Sequence, residues 1–181
     1  MQEPLPAEAK SIESGSTEGP AALPNAPIEA FAAACDRIKM TTLLMTQPPA
    51  GRDSPWERTV LTALRVDIPR LLADEGEDLF PILQLAARKT DDVETILKRL
   101  RGNQDELRAR ITASLGALEA ATQDPGRALD GALTSELAAL AAQVRQHVSL
   151  LSAIVLPIAR LRLTLEDMST LGAGMATRRG D

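Results

Sequence analysis

Apolar residues recur at steps of three and four through most of this chain, and the places where that rhythm stops divide it into helices. From Asp67 to Leu83 it reads D-I-P-R-L-L-A-D-E-G-E-D-L-F-P-I-L. Leu64, Ile68, Leu71, Leu72, Leu79 and Ile82 fall on one face of an amphipathic helix there. Glu75 falls on the same face, four residues after Leu71 and four before Leu79. A carboxylate in a packed seam costs several kcal/mol unless something pairs with it. Either the seam opens to water at that point or Glu75 has a partner. Asp74, Glu77 and Asp78 point elsewhere and read as a solvated acidic face.

The same spacing sets the other helices. Ile28, Phe31, Cys35, Ile38, Thr42 and Met45 predict a first helix from Pro27 to about Gln47, stopped by Pro48, Pro49, Gly51 and Asp53. Ser54-Pro55 is a helix start, Ser54 as N-cap and proline at the first helical position. This second helix runs to about Ala87. Pro69 inside it removes a backbone bond and predicts a kink, and Pro81 does the same near its end. Thr90 or Asp91 caps a third helix with the stripe Val93, Ile96, Leu100, Gln104, Leu107, Ile111, Leu115 and Leu118, broken at Asp124-Pro125-Gly126. The fourth carries Leu133, Leu137, Leu140, Val144, His147, Leu151, Ile154, Ile158 and Leu161. Thr164 to Asp167 resembles a capping box opening a short fifth helix to about Ala176, with Arg178 and Arg179 favouring the dipole at its end.

Residues 1–26 hold almost no large apolar side chains and read as a disordered tail before one domain, residues 27–180. Aromatic residues make up 2% of the 181, with no tyrosine, and the chain leans on alanine and leucine, which selects an all-α fold. Four long amphipathic helices joined by short loops predict an antiparallel up-down four-helix bundle, with the short fifth helix added. A net charge of -5 gives no electrostatic footprint for nucleic acid or an anionic membrane. One cysteine excludes a disulfide framework, and one histidine excludes a site built mainly from imidazoles. No run of about 18 apolar residues is evident, and the acidic, proline-rich start is unlike a signal peptide. The cytoplasm is the expected location.

Each of the four seams is interrupted by one residue able to ligate or hydrogen-bond: Cys35, Glu75, Gln104 and His147. All four lie mid-helix, at the level where such bundles build metal or cofactor sites. Taken singly, Cys35 reads as a small buried hydrophobe and His147 as a satisfied core histidine. Gln104 is a flank residue or a partner for Glu75. A Glu75–His147 pair satisfies both without metal. Trp56 is a packing anchor at the bundle end. There is no nucleophile–base pair and no glycine-rich phosphate loop; Gly172-Ala-Gly174 lies within a short helix. Arg37, Lys39 and Arg110 do not cluster into an anion site.

The stretch from Asp67 to Leu83 resembles the bacterial hemerythrin-like (HHE cation-binding) domain, whose second helix has a histidine, a glutamate four later, then an acidic L-F-P-x-L. H-V-S-L-L-S-A-I-V-L-P-I-A-R and M-A-T-R-R-G are similar to that family's last helix and tail, and Ala34-Cys-Asp-Arg-Ile-Lys39 to its first helix. The resemblance covers about 27–180. It implies a non-haem di-iron centre with histidines from four helices and bridging carboxylates, and binding of oxygen or nitric oxide. Position by position, the family's histidines correspond to Cys35, Leu71, Gln104 and His147, and its carboxylates to Glu75 and Leu151. Two of six ligand positions survive. The expectation is therefore a bundle that has lost its di-iron centre, is not an enzyme, and holds no resident cofactor. It acts as a structural, regulatory or partner-binding module, toward another protein or its own copy, with no nucleic acid or membrane partner. The alternative is a sensing protein with one iron or zinc ion on Cys35, Glu75, His147 and Gln104, the chemistry suited to that donor set.

Overall fold

The computed structural model describes residues 26–49, 54–123 and 129–180, and among these every regular element is helical. Of the expected tail, residues 1–26, Ala26 opens the first helix and residues 1–25 lie outside the described residues, as does the Asp124-Pro125-Gly126 break. Helix α1 spans Ala26–Met45 and buries Ile28, Phe31, Cys35, Ile38, Thr42 and Met45, the face its spacing predicts. Helix α2 covers residues 54–86, α3 Val93–Thr122, α4 Gly131–Arg162 and α5 Leu165–Arg179. The third helix is entered differently from the expectation. Lys89–Asp91 form a 3₁₀ turn, and Asp92, in a left-handed conformation (φ 49°), stands directly before Val93.

Helices α1 and α4, and likewise α2 and α3, run antiparallel, as their cross-links show. On α1 and α4, Lys39 reaches Ser152 while Glu29 reaches Arg160. On α2 and α3, Arg65 pairs with Glu119 and Gln84 with Arg101. On α3 and α4, Arg110 bonds both Glu136 and Gln143. Trp56 is buried and its Nε1 donates to the carbonyl of Leu44 at 2.9 Å, tying the start of α2 to the end of α1. At the start of α5 the expected capping box is formed: Thr164 Oγ1 accepts from the Asp167 amide, and Asp167 Oδ2 accepts from the Thr164 amide.

The interior prolines do not break their helices. Each follows a single wide, π-type turn: Ala63–Asp67 before Pro69, Asp74–Leu79 before Pro81, and Leu151–Val155 before Pro157. The amides of Ile68, Phe80 and Leu156 reach back five residues, to the carbonyls of Ala63, Glu75 and Leu151. A proline offers no N–H and its ring crowds the carbonyl four residues back, so a turn one residue wider lets the helix pass it.

The wide turns also re-aim the buried face. Four residues at about 100° each overshoot a full turn by about 40°, so an α-helix cannot keep a strict four-residue row pointing one way. Yet Leu71, Glu75, Leu79 and Leu83 are all buried, as are His147, Leu151, Val155 and Ala159. Uniform α-geometry instead predicts Ile82, Ile154, Ile158 and Leu161; the first three are only partly buried and Leu161 is 75% exposed. On α3, which has no wide turn, the stripe is close to the expectation, with Leu97 and Ser114 buried and Ile96 and Leu115 partly so.

Helix α4 is, by length and composition, able to cross a membrane, with a mean hydropathy of 1.3 in its most apolar window. That candidate is absent from the apolar-run reading of the sequence. It contributes Leu137, Leu140, Val144, Leu151 and Leu156 to the common core, and the core helix of a water-exposed fold passes the same test.

Candidate functional site

The wide turn Asp74–Leu79 presents Glu75 to the interior, α3 brings Gln104 opposite it, and α4 brings His147 one turn before its own wide turn. Glu75, His147 and Gln104 are 0%, 3% and 4% exposed. One oxygen, Glu75 Oε2, serves both neighbours. It accepts from Gln104 Nε2 at 2.9 Å and stands 2.7 Å from His147 Nε2. Gln104 Nε2 also lies 3.3 Å from the Leu72 carbonyl, and Arg108 Nη2 reaches that carbonyl and Gln104 Oε1 from the outside. Gly76 makes room for the amide: a Cβ at that position would sit 3.1 Å from Gln104 Oε1.

Glu75 Oε1 and His147 Nδ1 are buried without a hydrogen-bond partner. With Nδ1 bare, the tautomer that carries its proton on Nε2 leaves only a lone pair unmatched. A buried lone pair left unmatched costs less than a buried cationic N–H left unmatched. His147 then donates to Oε2, and the carboxylate holds two donors on one oxygen.

Cys35 is fully buried on α1 and keeps different company. It hydrogen-bonds Ser152, whose Oγ donates to the Val148 carbonyl at 2.7 Å and accepts from Lys39 Nζ at 3.2 Å. Burial pushes the thiol up to about 11; the Glu75 charge pushes the same way, and Ser152 and Lys39 pull back. A thiol so held is inert as a nucleophile near neutrality. The structure therefore joins Glu75, Gln104 and His147 directly and sets Cys35 beside them in a second, serine-centred chain. Ser152 was not singled out from the sequence. Its signal there is a lone hydroxyl inside the apolar run from Leu150 to Ile158.

Of the acidic stretch beside the cluster, Glu77 is on the solvated face its spacing suggests, but Asp74 and Asp78 are not. Asp74 is 2% exposed and holds Arg178 Nε at 2.9 Å and Arg179 Nη2 at 2.8 Å. Arg178 also pairs with Glu77 and with Asp78. Helix α5 extends to Arg179, one turn past its expected end, and its two arginines serve these carboxylates.

A di-iron centre does not fit this interior. Leu71 and Leu151, which stand where the resemblance puts a histidine and a carboxylate, are both buried and fill the space with methyl groups. Among the described residues no three of His, Cys, Asp and Glu stand together as a ligand set. Two bridged metal ions need several protein donors each. Compared with protein-family models, curated proteins and solved structures, the chain matches none.

Proposed function

We propose that the chain is a non-enzymatic, hemerythrin-like protein. In this reading α1 to α4 form an antiparallel up-down four-helix bundle that has lost its di-iron oxygen-binding centre. It serves in the cytoplasm as a structural, regulatory or partner-binding module. One observation carries this: Glu75, Gln104 and His147, three of the four seam residues that would ligate metal, bond one another through Glu75 Oε2. The partner is a protein or a second copy of the chain. Met40, Leu43 and Leu44 support that choice, because they place three exposed apolar side chains on the outer face of α1.

A second reading, one iron or zinc ion per chain in a redox- or gas-sensing role, is favoured by a different observation. Glu75 Oε1 and His147 Nδ1 are buried donor atoms with no protein partner, and Cys35 is the nearest thiol. Elemental analysis of untagged protein, expressed with iron and zinc supplied and then desalted, separates the two. No metal, with stability unchanged by chelator, supports the module. About one metal per chain, lost in Cys35→Ser and His147→Gln, supports the sensor, since a mononuclear site needs about three protein ligands. Two irons per chain would overturn both the ligand correspondence and the module.

A further inference from the structure

Helix α5 is attached unlike the other four. It is joined to α4 through Leu163 and Thr164, both extended. Its inward face is three side chains, Met168, Leu171 and Met175, against eight buried positions on α3. Gly172 and Gly174 lie in its middle, and glycine lowers helix propensity more than any residue but proline. A helix of about this length with two interior glycines is marginal alone and depends on docking. The capping box at Thr164 and Asp167 is local to α5 and survives undocking.

What docks its far end is charge. Arg178 and Arg179 close on Asp74, Glu77 and Asp78, and Gly174 permits the approach, since a Cβ there would lie 2.5 Å from Asp78 Oδ1. Its middle rests on α1, with Pro27 3.4 Å from the position of a Cβ on Gly172. Helix α5 thus lies along the seam between α1 and the wide turn that carries Glu75, and α1 carries Cys35 within reach of the Glu75 charge.

We propose that α5 is a charge-latched flap: it opens as a unit about Leu163 and Thr164 while the other helices stay folded. The latch is the Arg178–Arg179 grip on Asp74, Glu77 and Asp78, and opening uncovers the wide turn beside Glu75 and admits solvent toward Cys35. Local opening of a lightly anchored element is the ordinary low-energy excursion of a folded chain. The latch is partly solvated, so salt weakens it, whereas the apolar contacts among α1 to α4 gain nothing from screening.

The test uses the full chain. Hydrogen exchange resolved by peptide, and the rate at which a disulfide reagent labels Cys35, are followed at low salt and at about 1 M salt, where screening acts within about 3 Å. Salt should speed exchange in 165–179 and 74–80, and labelling of Cys35, while α3 keeps its rate. The double substitution Arg178→Gln and Arg179→Gln should do the same at low salt, by about tenfold or more. Lysine at both positions should restore part of the protection, keeping the charge but not the forked geometry. Labelling that tracks exchange of α3 under every condition, or that ignores both salt and the glutamine pair, overturns the proposal. The salt experiment on the unmodified chain decides the matter if the double variant does not fold.

Discussion

Replacing Glu75 by glutamine separates the charge of the buried pair from its geometry. Both bonds of the carboxylate converge on Oε2, from Gln104 and His147, and Oε1 has no partner. A glutamine with its amide oxygen in the Oε2 position keeps both bonds and puts its NH₂ where no acceptor stands. Weakening two charge-assisted bonds to neutral ones costs about 1 kcal/mol each, and the unpaired NH₂ about 1–3 kcal/mol. Against this, removing a buried carboxylate returns a desolvation cost of several kcal/mol. The terms nearly cancel, so Glu75→Gln should shift stability by no more than about 1 kcal/mol. Glu75→Leu strands the Gln104 and His147 donors together and should cost about 1–3 kcal/mol for each. Urea unfolding followed by circular dichroism and by the fluorescence of Trp56, the only tryptophan, measures both if the two probes coincide. A loss of about 3–5 kcal/mol in the glutamine variant would refute the neutral-imidazole reading, because that is the cost of stranding a buried cation.

Further outcomes rest on single groups. Gly174→Ala should destabilise by about 1–2 kcal/mol, the overpacking against Asp78 exceeding the helix propensity gained. Gly102→Ala, with open space around it, should stabilise by about 0.5–1 kcal/mol in the same assay. Cys35 has a thiol pKa raised by burial from 9.0 to about 11 in the folded chain. Its contribution is therefore complete below about pH 9 and is lost as pH rises toward about 11. Cys35→Ala should flatten that alkaline slope in unfolding curves measured across the range. Asp91 is held down to about 2 by the Arg162 guanidinium, with the Arg88 amide assisting. Its contribution is present above the ordinary value of 3.8 and fades as pH falls toward about 2. The difference in unfolding midpoint between the unmodified chain and Asp91→Asn should shrink over that interval.

The spacing of apolar residues located all five helices and the residues that interrupt their seams. Glu75, Gln104 and His147 were legible because each is a polar break in an otherwise apolar stripe, and three breaks at one depth have only one another to bond. Two things were not legible. The partners of Asp74 and Asp78 lie about a hundred residues away on α5, and no local pattern says that a C-terminal arginine pair folds back onto them. Past Ala63–Asp67 the expected Ile68, Leu71 and Leu72 are buried. But Ile82, Ile154, Ile158 and Leu161 were misassigned because a constant angle per residue was applied through Asp74–Leu79 and Leu151–Val155. The prolines at 69, 81 and 157 were the available signal. Pro69 and Pro81, read as kinks, pointed to the right places and the wrong geometry, and Pro157 was passed over.

The wide turns also bear on which changes of length the chain tolerates. Removing one residue from an ordinary helical turn rotates everything beyond it by about 100° and turns a buried row outward. Removing one from Leu151–Val155 leaves a plain α-turn with the flanking faces still aligned, provided Pro157 is replaced so that its ring meets no carbonyl. Each wide turn is thus a position where the reading of the helix is already one residue long. Single-residue deletions should be absorbed at these three sites and rejected within α1 and α3, so the prolines that look like defects mark where this fold has slack to change.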